Sequence, residues 1–438
     1  MKTVNNFVQS ERQTFPSAIR AFLPQYTIIP FMQIKGPEYE CIIKENDTVS
    51  EGQIIGTKKD SYTGNNGASI HSPVPGKVTK IVTCSLPNGK MSKAAEIRVV
   101  GSFTYLGKKQ SPTDWHHFSS EDMLIAFAQK GIVNTFAEAD ALSDEIIAVK
   151  AQKNKILVVR LFDEDPSRLT DCFVSYTNWA HVVEGACIVA KAMDAEGIVF
   201  AVPKKSIYDY SSLEFSVPKN TNYHVMGVDT TKYPSGFKQN LIQQIKRDVK
   251  DDPKSIYANV STKSIYIDPE TAYSVYEAIV LGMPVVERYI HVTGTCLRSA
   301  GMFKVRVGTT IKSLAEQCGN FKIKPAKIII NGLITGFAIS SLDTPITKQV
   351  KSVAFVPAGE LSDQKLSPCI RCGRCRAICP EGIFPDLVFR HKTGGKPVGS
   401  DLVQTALLCS ECCLCNSVCP ARLPLCQTIA LLKETEHE

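Results

Sequence analysis

The sequence predicts a multidomain protein of α/β plus β architecture with a cysteine-rich helical domain near its C-terminal end. Three observations predict this fold class. Residues 28–105 alternate short apolar runs with polar turns, residues 118–255 alternate helix and strand patterns, and residues 369–420 contain two cysteine runs of one spacing. A chain of 438 residues accommodates about two to four domains of ordinary size.

The composition is that of an ordinary globular protein, with 44% hydrophobic and 21% charged residues. The net charge of +7 comes from basic residues that are spread along the chain, so we expect no nucleic-acid partner. The first residues are polar, and the best apolar run, residues 278–286, is far shorter than the ~18 residues of a membrane span. We therefore expect a chain that is not exported and is soluble or peripheral to a membrane.

The two cysteine runs carry the most specific chemistry in the sequence. "CIRCGRCRAICP" begins at Cys369 and "CSECCLCNSVCP" begins at Cys409, and both have the spacing C-x2-C-x2-C-x3-C-P. This is the ligand pattern of bacterial two-cluster ferredoxins, in which the fourth cysteine of each run ligates the other cluster. Zinc ribbons and redox CxxC motifs need no third cysteine at the next step of three, so two 4Fe–4S clusters are the favoured interpretation.

This crossed pattern assigns four cysteines to each cluster. The first cluster is expected to be held by Cys369, Cys372, Cys375 and Cys419, and the second by Cys409, Cys412, Cys415 and Cys379. Cys413 and Cys426 fall outside the register and are not expected to be ligands. Two adjacent clusters make an electron relay. The expected range of this ferredoxin-type domain is 362–430.

Residues 28–105 are typical of a barrel-sandwich hybrid domain of the biotinyl/lipoyl type. The indicative segments are "KENDTVSEGQIIGT" (44–57) and "IHSPVPGKVTKIV" (70–82), in which polar turns separate short strands. Lys77 follows Gly76 and lacks the neighbours of a lysine that carries a lipoyl or biotinyl group. We therefore expect a structural role for this domain, with residues 1–27 as an N-terminal tail.

The middle of the chain predicts two further domains. Residues 118–255 contain the buried strands "KILVVRLF" (155–162) and "GIVFAVPK" (197–204) between amphipathic helices, which indicates a Rossmann-like parallel α/β domain. Residues 256–350 include a hairpin followed by a capped helix at 288–319, which indicates a small β-grasp module of the SLBB-like type.

This order of domains resembles the C subunit of Rnf electron-transport complexes, the RnfC family. The match is carried by the cysteine runs, "HSPVPGKV" (71–78), "TKYPSGFKQNLI" (231–242), "AYSVYEAIVLGMPVVER" (272–288) and "VTGTCLRSAGMFKVRVGTTIKSLAEQCG" (292–319). The family is similar to the flavin- and NADH-binding subunit of respiratory complex I.

The resemblance implies an oxidoreductase/translocase complex subunit, peripheral to the cytoplasmic face of the cell membrane. It would relay electrons between two 4Fe–4S clusters, with NADH acting through FMN, or a reduced ferredoxin or flavodoxin, as the donor. Its expected partners are integral-membrane and flavin-carrying subunits, which would couple the electron flow to ion translocation.

The sequence departs from the family where flavin and NADH are expected to bind. After "GIV" (131–133) the family has a Gly-rich loop, but this chain has "NTFAEADALSDE", with no glycine and four carboxylates. The later acidic loop is reduced to "RLFDEDP" (160–166), in which Asp163 and Asp165 are the candidate flavin/NADH residues. Lys238 stands where the family has a glutamate, and the Gly-rich run near 331–338 is reduced to "NGLITGFA". The alternative is that Asp163 and Asp165 form a solvated loop or cap a helix.

Two other functions remain open from the sequence. One is a soluble iron–sulfur flavoprotein or cobalamin-reductase-like electron carrier attached to no ion pump, which the order of domains disfavours. The other is an assembly or scaffold subunit, similar to the cluster-free relatives in sodium-pumping quinone reductases, which two complete cysteine runs disfavour.

Overall fold

The structure is a computed structural model. It describes residues 4–5, 17–59, 66–204, 216–252, 254–361, 365–395 and 399–436. Two short strands come first, β1 (Val4–Asn5) and β2 (Ile19–Arg20). Most of the expected tail, residues 1–3 and 6–16, lies outside the described residues. Its remaining part is not a free tail, because β2 pairs with a strand that lies almost 300 residues further along the chain.

The first domain consists of two antiparallel sheets with a shared apolar core. Its strands are β3 (Tyr26–Pro30), β4 (Glu40–Cys41), β5 (Thr48–Val49), β6 (Ile54–Thr57), β7 (Ile70–His71), β8 (Gly76–Ser85) and β9 (Met91–Val99). One sheet has the order β3-β9-β8-β5 and the other β4-β6-β7. Ile29, Ile55, Val78 and Ile97 come from both sheets and are fully buried in one cluster. This is the barrel-sandwich arrangement, and Lys77 lies exposed within β8 rather than at a hairpin tip.

The second region is built on a parallel sheet. Its elements are α1 (Ser120–Lys130), β10 (Val133–Asn134), β11 (Asp140–Ala141), α2 (Leu142–Val149), β12 (Ile156–Arg160), α3 (Thr170–Thr177), α4 (Trp179–Ala192), β13 (Gly197–Pro203), β14 (Asn222–Val228), β15 (Lys232–Tyr233), α5 (Lys238–Asp248), β16 (Ile265–Ile267) and α6 (Pro269–Ile279). The sheet order is β14-β13-β12-β16, and all neighbours are parallel. Helices α4 and α6 approach so closely that a Cβ on Gly185 would lie 1.9 Å from the Ala272 carbonyl oxygen.

This parallel sheet extends beyond the expected range 118–255. Its fourth strand is β16, and α6 packs against α4 and contributes to the same core. The strand has only three residues, "IYI", which is too short to give a periodic signal in the sequence. Its position in the sheet is set by parallel pairing with β12, in which Val158 lies opposite Tyr266.

The third region has one mixed six-stranded sheet. Its elements are β17 (Glu287–Thr293), β18 (Gly301–Arg306), α7 (Ile311–Gln317), β19 (Lys327–Ile330), β20 (Phe337–Ile339) and β21 (Ser352–Val356). The order is β2-β18-β17-β21-β19-β20, in which β17 is antiparallel to β18 and parallel to β21. The expected limits 256–350 therefore start too early and stop before β21, which pairs in the middle of the sheet.

The last region is helical. It consists of α8 (Arg374–Ile378), α9 (Pro385–Thr393), α10 (Ser400–Leu407), α11 (Leu414–Ser417) and α12 (Leu425–Glu436). Helices α8 and α11 lie within the two cysteine runs, and α9 and α12 follow them in the same order, so the two halves repeat one unit. In the described part of the chain, no helix has the length and apolar character needed to cross a membrane.

Candidate metal centre and predicted nucleotide site

The first three cysteines of one run and the last cysteine of the other line a single cavity. Its lining includes Cys369, Cys372, Cys375 and Cys419, together with Asp386. Cys372 is exposed, whereas Cys375 is buried. The structure thus brings together the four side chains that the crossed pattern predicts for the first cluster.

The thiols predicted for the second cluster also lie close to one another, but deeper in the protein. Burial raises the pKa of Cys379, and the neighbouring Cys409 raises it further. Burial and the same neighbour raise the pKa of Cys412 to about 12. Cys412 is packed with Tyr233 and Phe237 of the parallel α/β region, and the Tyr233 hydroxyl donates to the Cys412 carbonyl oxygen at 2.7 Å. This set therefore faces the body of the molecule.

The backbone in and after both runs contains left-handed positions of the kind found in anion-binding turns. Three positions in each half have a left-handed backbone, with φ between 54° and 74°, and they occur at the same offset along the chain. The equivalent positions are Arg371 and Glu411, Gly373 and Cys413, and Gly382 and Arg422. Alternating right- and left-handed residues point successive N–H groups into one concavity, which suits the negative charge of an iron–sulfur cluster. The cysteines and the turns around them therefore fit 4Fe–4S clusters.

In the described ranges, no three His, Cys, Asp or Glu side chains converge on the position of one metal ion. That observation concerns sites that hold a single ion. In a 4Fe–4S cluster four cysteines hold four irons, so each iron has one protein thiolate.

Each half places a different side chain beside its third cysteine. In the first half, the Cys375 Sγ atom is 3.9 Å from a carboxylate oxygen of Asp386. Arg376 donates two hydrogen bonds to that carboxylate, at 2.6 and 2.7 Å, and these hold the pKa of Asp386 below its ordinary value. In the second half, Cys426 occupies the position equivalent to Asp386.

Cys426 is buried near the start of α12 and packs in one cluster with two predicted ligands, Cys375 and Cys415. The neighbouring Cys426 and burial raise the pKa of Cys409 and of Cys415 above the ordinary value. The register of the cysteine runs excludes Cys426 as a ligand and gives no hint of this contact. The signal that could have found it is the internal repeat, because the equivalent residue of the first half contacts Cys375.

Asp163, one of the two predicted flavin/NADH residues, binds the start of a helix. Its carboxylate accepts the N–H groups of Asp171 and Cys172 at 3.1 and 3.0 Å, in the first turn of α3. Arg168 approaches it at 3.4 Å. Burial and the nearby Asp171 raise the pKa of Asp163 to about 6, although Arg168 opposes this. Its hydrogen-bonding capacity is thus used within the protein.

Asp165, the second predicted residue, holds the loop that contains the reduced Gly-rich run. Its carboxylate accepts the N–H groups of Ile334 and Thr335, both at 2.9 Å, and also the Ser167 hydroxyl at 2.6 Å. Gly332 of this loop has φ +108°, and a Cβ there would lie 2.4 Å from the Asp165 carboxylate. The structure brings Asp165 and this loop together, but in direct contact, with no space between them for a ligand.

In the loop after "GIV", backbone N–H groups are also bonded to groups within the protein. The Thr135 N–H donates to the Thr271 hydroxyl at 3.0 Å, and the Phe136 N–H donates to the Asn134 side chain at 3.1 Å. The Arg160 guanidinium lies 4.2 Å from the centre of the buried Phe136 ring. A flavin phosphate needs free backbone N–H groups at close approach, which these residues do not offer. The residues present therefore do not fit a flavin phosphate at this loop.

A buried ion-pair network occupies the space beside these loops. The Lys351 ammonium group donates to Asp171 at 2.7 and 2.9 Å and to Asp268 at 2.6 Å, and all three side chains are buried. Asp268 also accepts the Thr135 hydroxyl at 2.7 Å. The sequence did not indicate this network, because its members lie far apart along the chain.

Fold and site together define a class of multidomain protein in which a barrel-sandwich domain and α/β sheets carry a C-terminal domain with duplicated cysteine runs. Residues 9–101 match the family described as the RnfC barrel sandwich hybrid domain. The predicted resemblance is confirmed: over most of its length the chain is similar to proteins named as the C subunit of ion-translocating oxidoreductase complexes.

Two of these relatives show the extent of the similarity. The chain is 27% identical over 372 residues to the C subunit of the proton-translocating ferredoxin:NAD(+) oxidoreductase complex of Clostridium ljungdahlii, covering 84% of this chain and 78% of the relative. It is 25% identical over 373 residues to the C subunit of the ion-translocating oxidoreductase complex of Rhodobacter capsulatus, covering 83% and 69%. Other relatives are longer, and the match spans only 45% of the Erwinia tasmaniensis protein.

The solved structures that match this chain are more distant relatives by sequence identity. Chains of a NAD+-reducing [NiFe]-hydrogenase match at 12% sequence identity, with a TM-score of 0.45 in the air-oxidized state and 0.47 in the H2-reduced state. These matches cover 67% and 70% of this chain and 58% and 62% of the hydrogenase chains.

Proposed function

We propose that this chain is an electron-transfer subunit of an Rnf-type oxidoreductase complex and holds two 4Fe–4S clusters in its last domain. The observation that carries the proposal is the cavity lined by three cysteines of the first run and by Cys419 of the second. The doubled left-handed turns around the cysteines support it, since they suit an anionic cluster. When bound, such clusters supply one-electron transfer.

The similarity to C subunits of ion-translocating oxidoreductase complexes supports the other parts of the proposal. The parallel sheet is taken as Rossmann-like, and the neighbouring strands β18-β17-β21-β19 with helix α7 as a β-grasp module of the SLBB-like type. The chain would bind integral-membrane and flavin-carrying subunits at the cytoplasmic face of a membrane, where those subunits couple electron flow to ion translocation.

The two cysteine sets would have different tasks within the relay. Cys412 of the second set is covered by Tyr233 and Phe237 of the α/β region. Cys372 of the first set is exposed. The first set is therefore the place where a separate electron carrier can approach, and the second set exchanges electrons within the complex.

We further propose that no flavin or nucleotide binds at residues 131–136, because Thr135 and Phe136 use their N–H groups within the protein. The donor is then a reduced carrier protein of the ferredoxin or flavodoxin kind rather than NADH acting through FMN in this chain. The soluble-carrier alternative is disfavoured by the similarity to proteins of ion-translocating complexes over most of the chain.

The proposal is tested by anaerobic reconstitution of the chain with iron and sulfide, followed by gel filtration with FMN. We expect about eight irons per chain, four for each cluster, and no retained flavin. Dithionite or reduced ferredoxin should then produce the EPR signal of two coupled clusters, whereas NADH should not. Retained flavin that NADH bleaches would contradict the absence of a flavin site, and a chain without bound iron would contradict the relay.

The surface around the first set suits an acidic carrier. Arg371 and Arg374 are exposed beside Cys372, and the apolar side chains of Leu366 and Ile370 are 65% and 67% exposed. Basic groups around an apolar centre attract an acidic protein and then allow close contact. We therefore propose that a small acidic electron carrier docks here.

Reversing both charges, Arg371→Glu with Arg374→Glu, should slow reduction by ferredoxin about tenfold or more at low ionic strength, and less at high salt. Glu411 already occupies the backbone position equivalent to Arg371, with φ 58°, so the change is compatible with the fold. Stopped-flow absorbance measures the rate. Reduction by dithionite should be unchanged, and the control Lys44→Glu with Lys77→Glu in the first domain should have little effect. Equal slowing by both double variants would show that only net charge matters.

A further inference from the structure

The second cysteine set contains a fifth thiol that neither the register of the runs nor the family likeness assigns. Cys426 is buried and packs in one cluster with Cys415, a predicted ligand of the second cluster. Cys413, the other cysteine outside the register, is partly exposed and occupies the turn position of Gly373.

The backbone around Cys426 holds its thiol in place. The Cys426 N–H donates to the Asn416 side-chain oxygen at 2.9 Å, and the Asn416 side-chain nitrogen donates to Gln427 at 2.6 Å. Asn416 directly follows Cys415 in α11, so these bonds tie the start of α12 to the helix that carries a predicted ligand. The contact between Cys426 and Cys415 is therefore a consequence of how the two helices are joined.

The two halves of the internal repeat differ in the hydrogen-bonding group that they place beside the third cysteine. At the equivalent position the first half has Asp386, whose carboxylate accepts two hydrogen bonds from Arg376 and so presents acceptor oxygens. A cysteine thiol can donate one. The two halves thus present opposite hydrogen-bonding groups to their third cysteines, an acceptor beside Cys375 and a donor beside Cys415.

We propose that the Cys426 thiol donates a hydrogen bond to the ligand sulfurs of the second cluster and raises the reduction potential of that cluster. The inference rests on the proposed function, since it requires the cluster to be present. Hydrogen bonds to the sulfurs are among the groups that set iron–sulfur potentials. A donor stabilises the reduced cluster more than the oxidised one, because the reduced cluster carries one more negative charge. Cys426 is a positioning residue rather than a ligand.

The test is an EPR-monitored redox titration of the reconstituted wild type, Cys426→Ala, Cys426→Ser and the control Cys413→Gly. We expect Cys426→Ala to keep its full iron content and to shift one of the two midpoint potentials to a more negative value. Cys426→Ser should recover most of the shift, because a hydroxyl also donates. Cys413→Gly should leave both potentials unchanged, and the cluster of the first run should keep its potential in every variant.

Three outcomes would overturn the inference. The first is an unchanged pair of potentials in Cys426→Ala. The second is loss of about half of the iron in Cys426→Ala while Cys379→Ser retains it, which would make Cys426 a ligand in place of Cys379. The third is a wild-type chain that takes up no iron, which overturns the proposed function as well and so is distinguishable from the other two.

Discussion

Cys419→Ser is expected to remove the cluster held by the first cysteine run, although the substituted residue belongs to the second run. The structure places Cys419 in the same cavity as Cys369, Cys372 and Cys375. Four thiolates hold a 4Fe–4S cluster, and the loss of one leaves an iron without its protein ligand. Iron and sulfide contents should therefore fall by about half, and the EPR signal of two coupled clusters should become that of one isolated cluster.

The reciprocal variant and a control make this result specific. Cys379→Ser, in the first run, should remove the cluster held by Cys409, Cys412 and Cys415. Cys41→Ser changes a cysteine of the first domain, and its iron content should equal that of the wild type. If Cys419→Ser instead removed the cluster of the second run, the ligands would not cross between the runs.

Lys351→Met is expected to destabilise the α/β region by roughly 3–5 kcal/mol, because it leaves the buried Asp268 without its cation and removes the shortest ion pair of Asp171. Lys351 donates to Asp171 and Asp268 at 2.6 to 2.9 Å, and all three side chains are buried. These contacts hold the pKa of Asp268 well below its ordinary value, against the effect of burial. The stabilisation from Asp268 is therefore present at neutral pH and is lost as the pH falls toward that lowered pKa.

The midpoint of thermal unfolding, followed by circular dichroism, measures this change. The matched control is Lys35→Met, which removes an exposed ion pair of 2.8 Å with Glu138 and should cost at most about 1 kcal/mol. Replacing Lys351 and Asp268 together, with Lys351→Met and Asp268→Asn, should recover part of the loss, because Asp171 keeps Arg160 and Arg168 as partners. Equal effects of Lys351→Met and Lys35→Met would contradict the assignment of a structural network here.

The features that could be predicted from the sequence depend on neighbours along the chain. The spacing of each cysteine run sets its turns, and the left-handed positions Gly373 and Cys413 occur at the same place in both runs. The continuous apolar run in β13 predicts a strand covered on both faces, and all seven of its residues are buried. The capped start of α1 at Ser119 is likewise a local signal.

The features that could not be predicted depend on contacts between distant segments. The strands β2 and β16 have two and three residues, and only pairing with longer strands makes them part of a sheet. The sequence suggested Asp163 and Asp165 as ligand-binding residues, and the structure shows them bonded to backbone N–H groups of α3 and of the loop at 334–335. Whether a carboxylate is free for a ligand is decided by the groups that folding brings to it.

By itself, the sequence determined the barrel-sandwich domain, the two cysteine runs and the resemblance to the RnfC family, because the spacing of residues, their alternation and the turn residues are local properties of the chain. Only the tertiary structure decided that Lys351 bridges Asp171 and Asp268, and that Cys426 packs with Cys415 of the second cysteine set. The physical reason is that burial removes water as a partner. Each polar group must then find a partner within the protein, and that partner can come from any part of the chain.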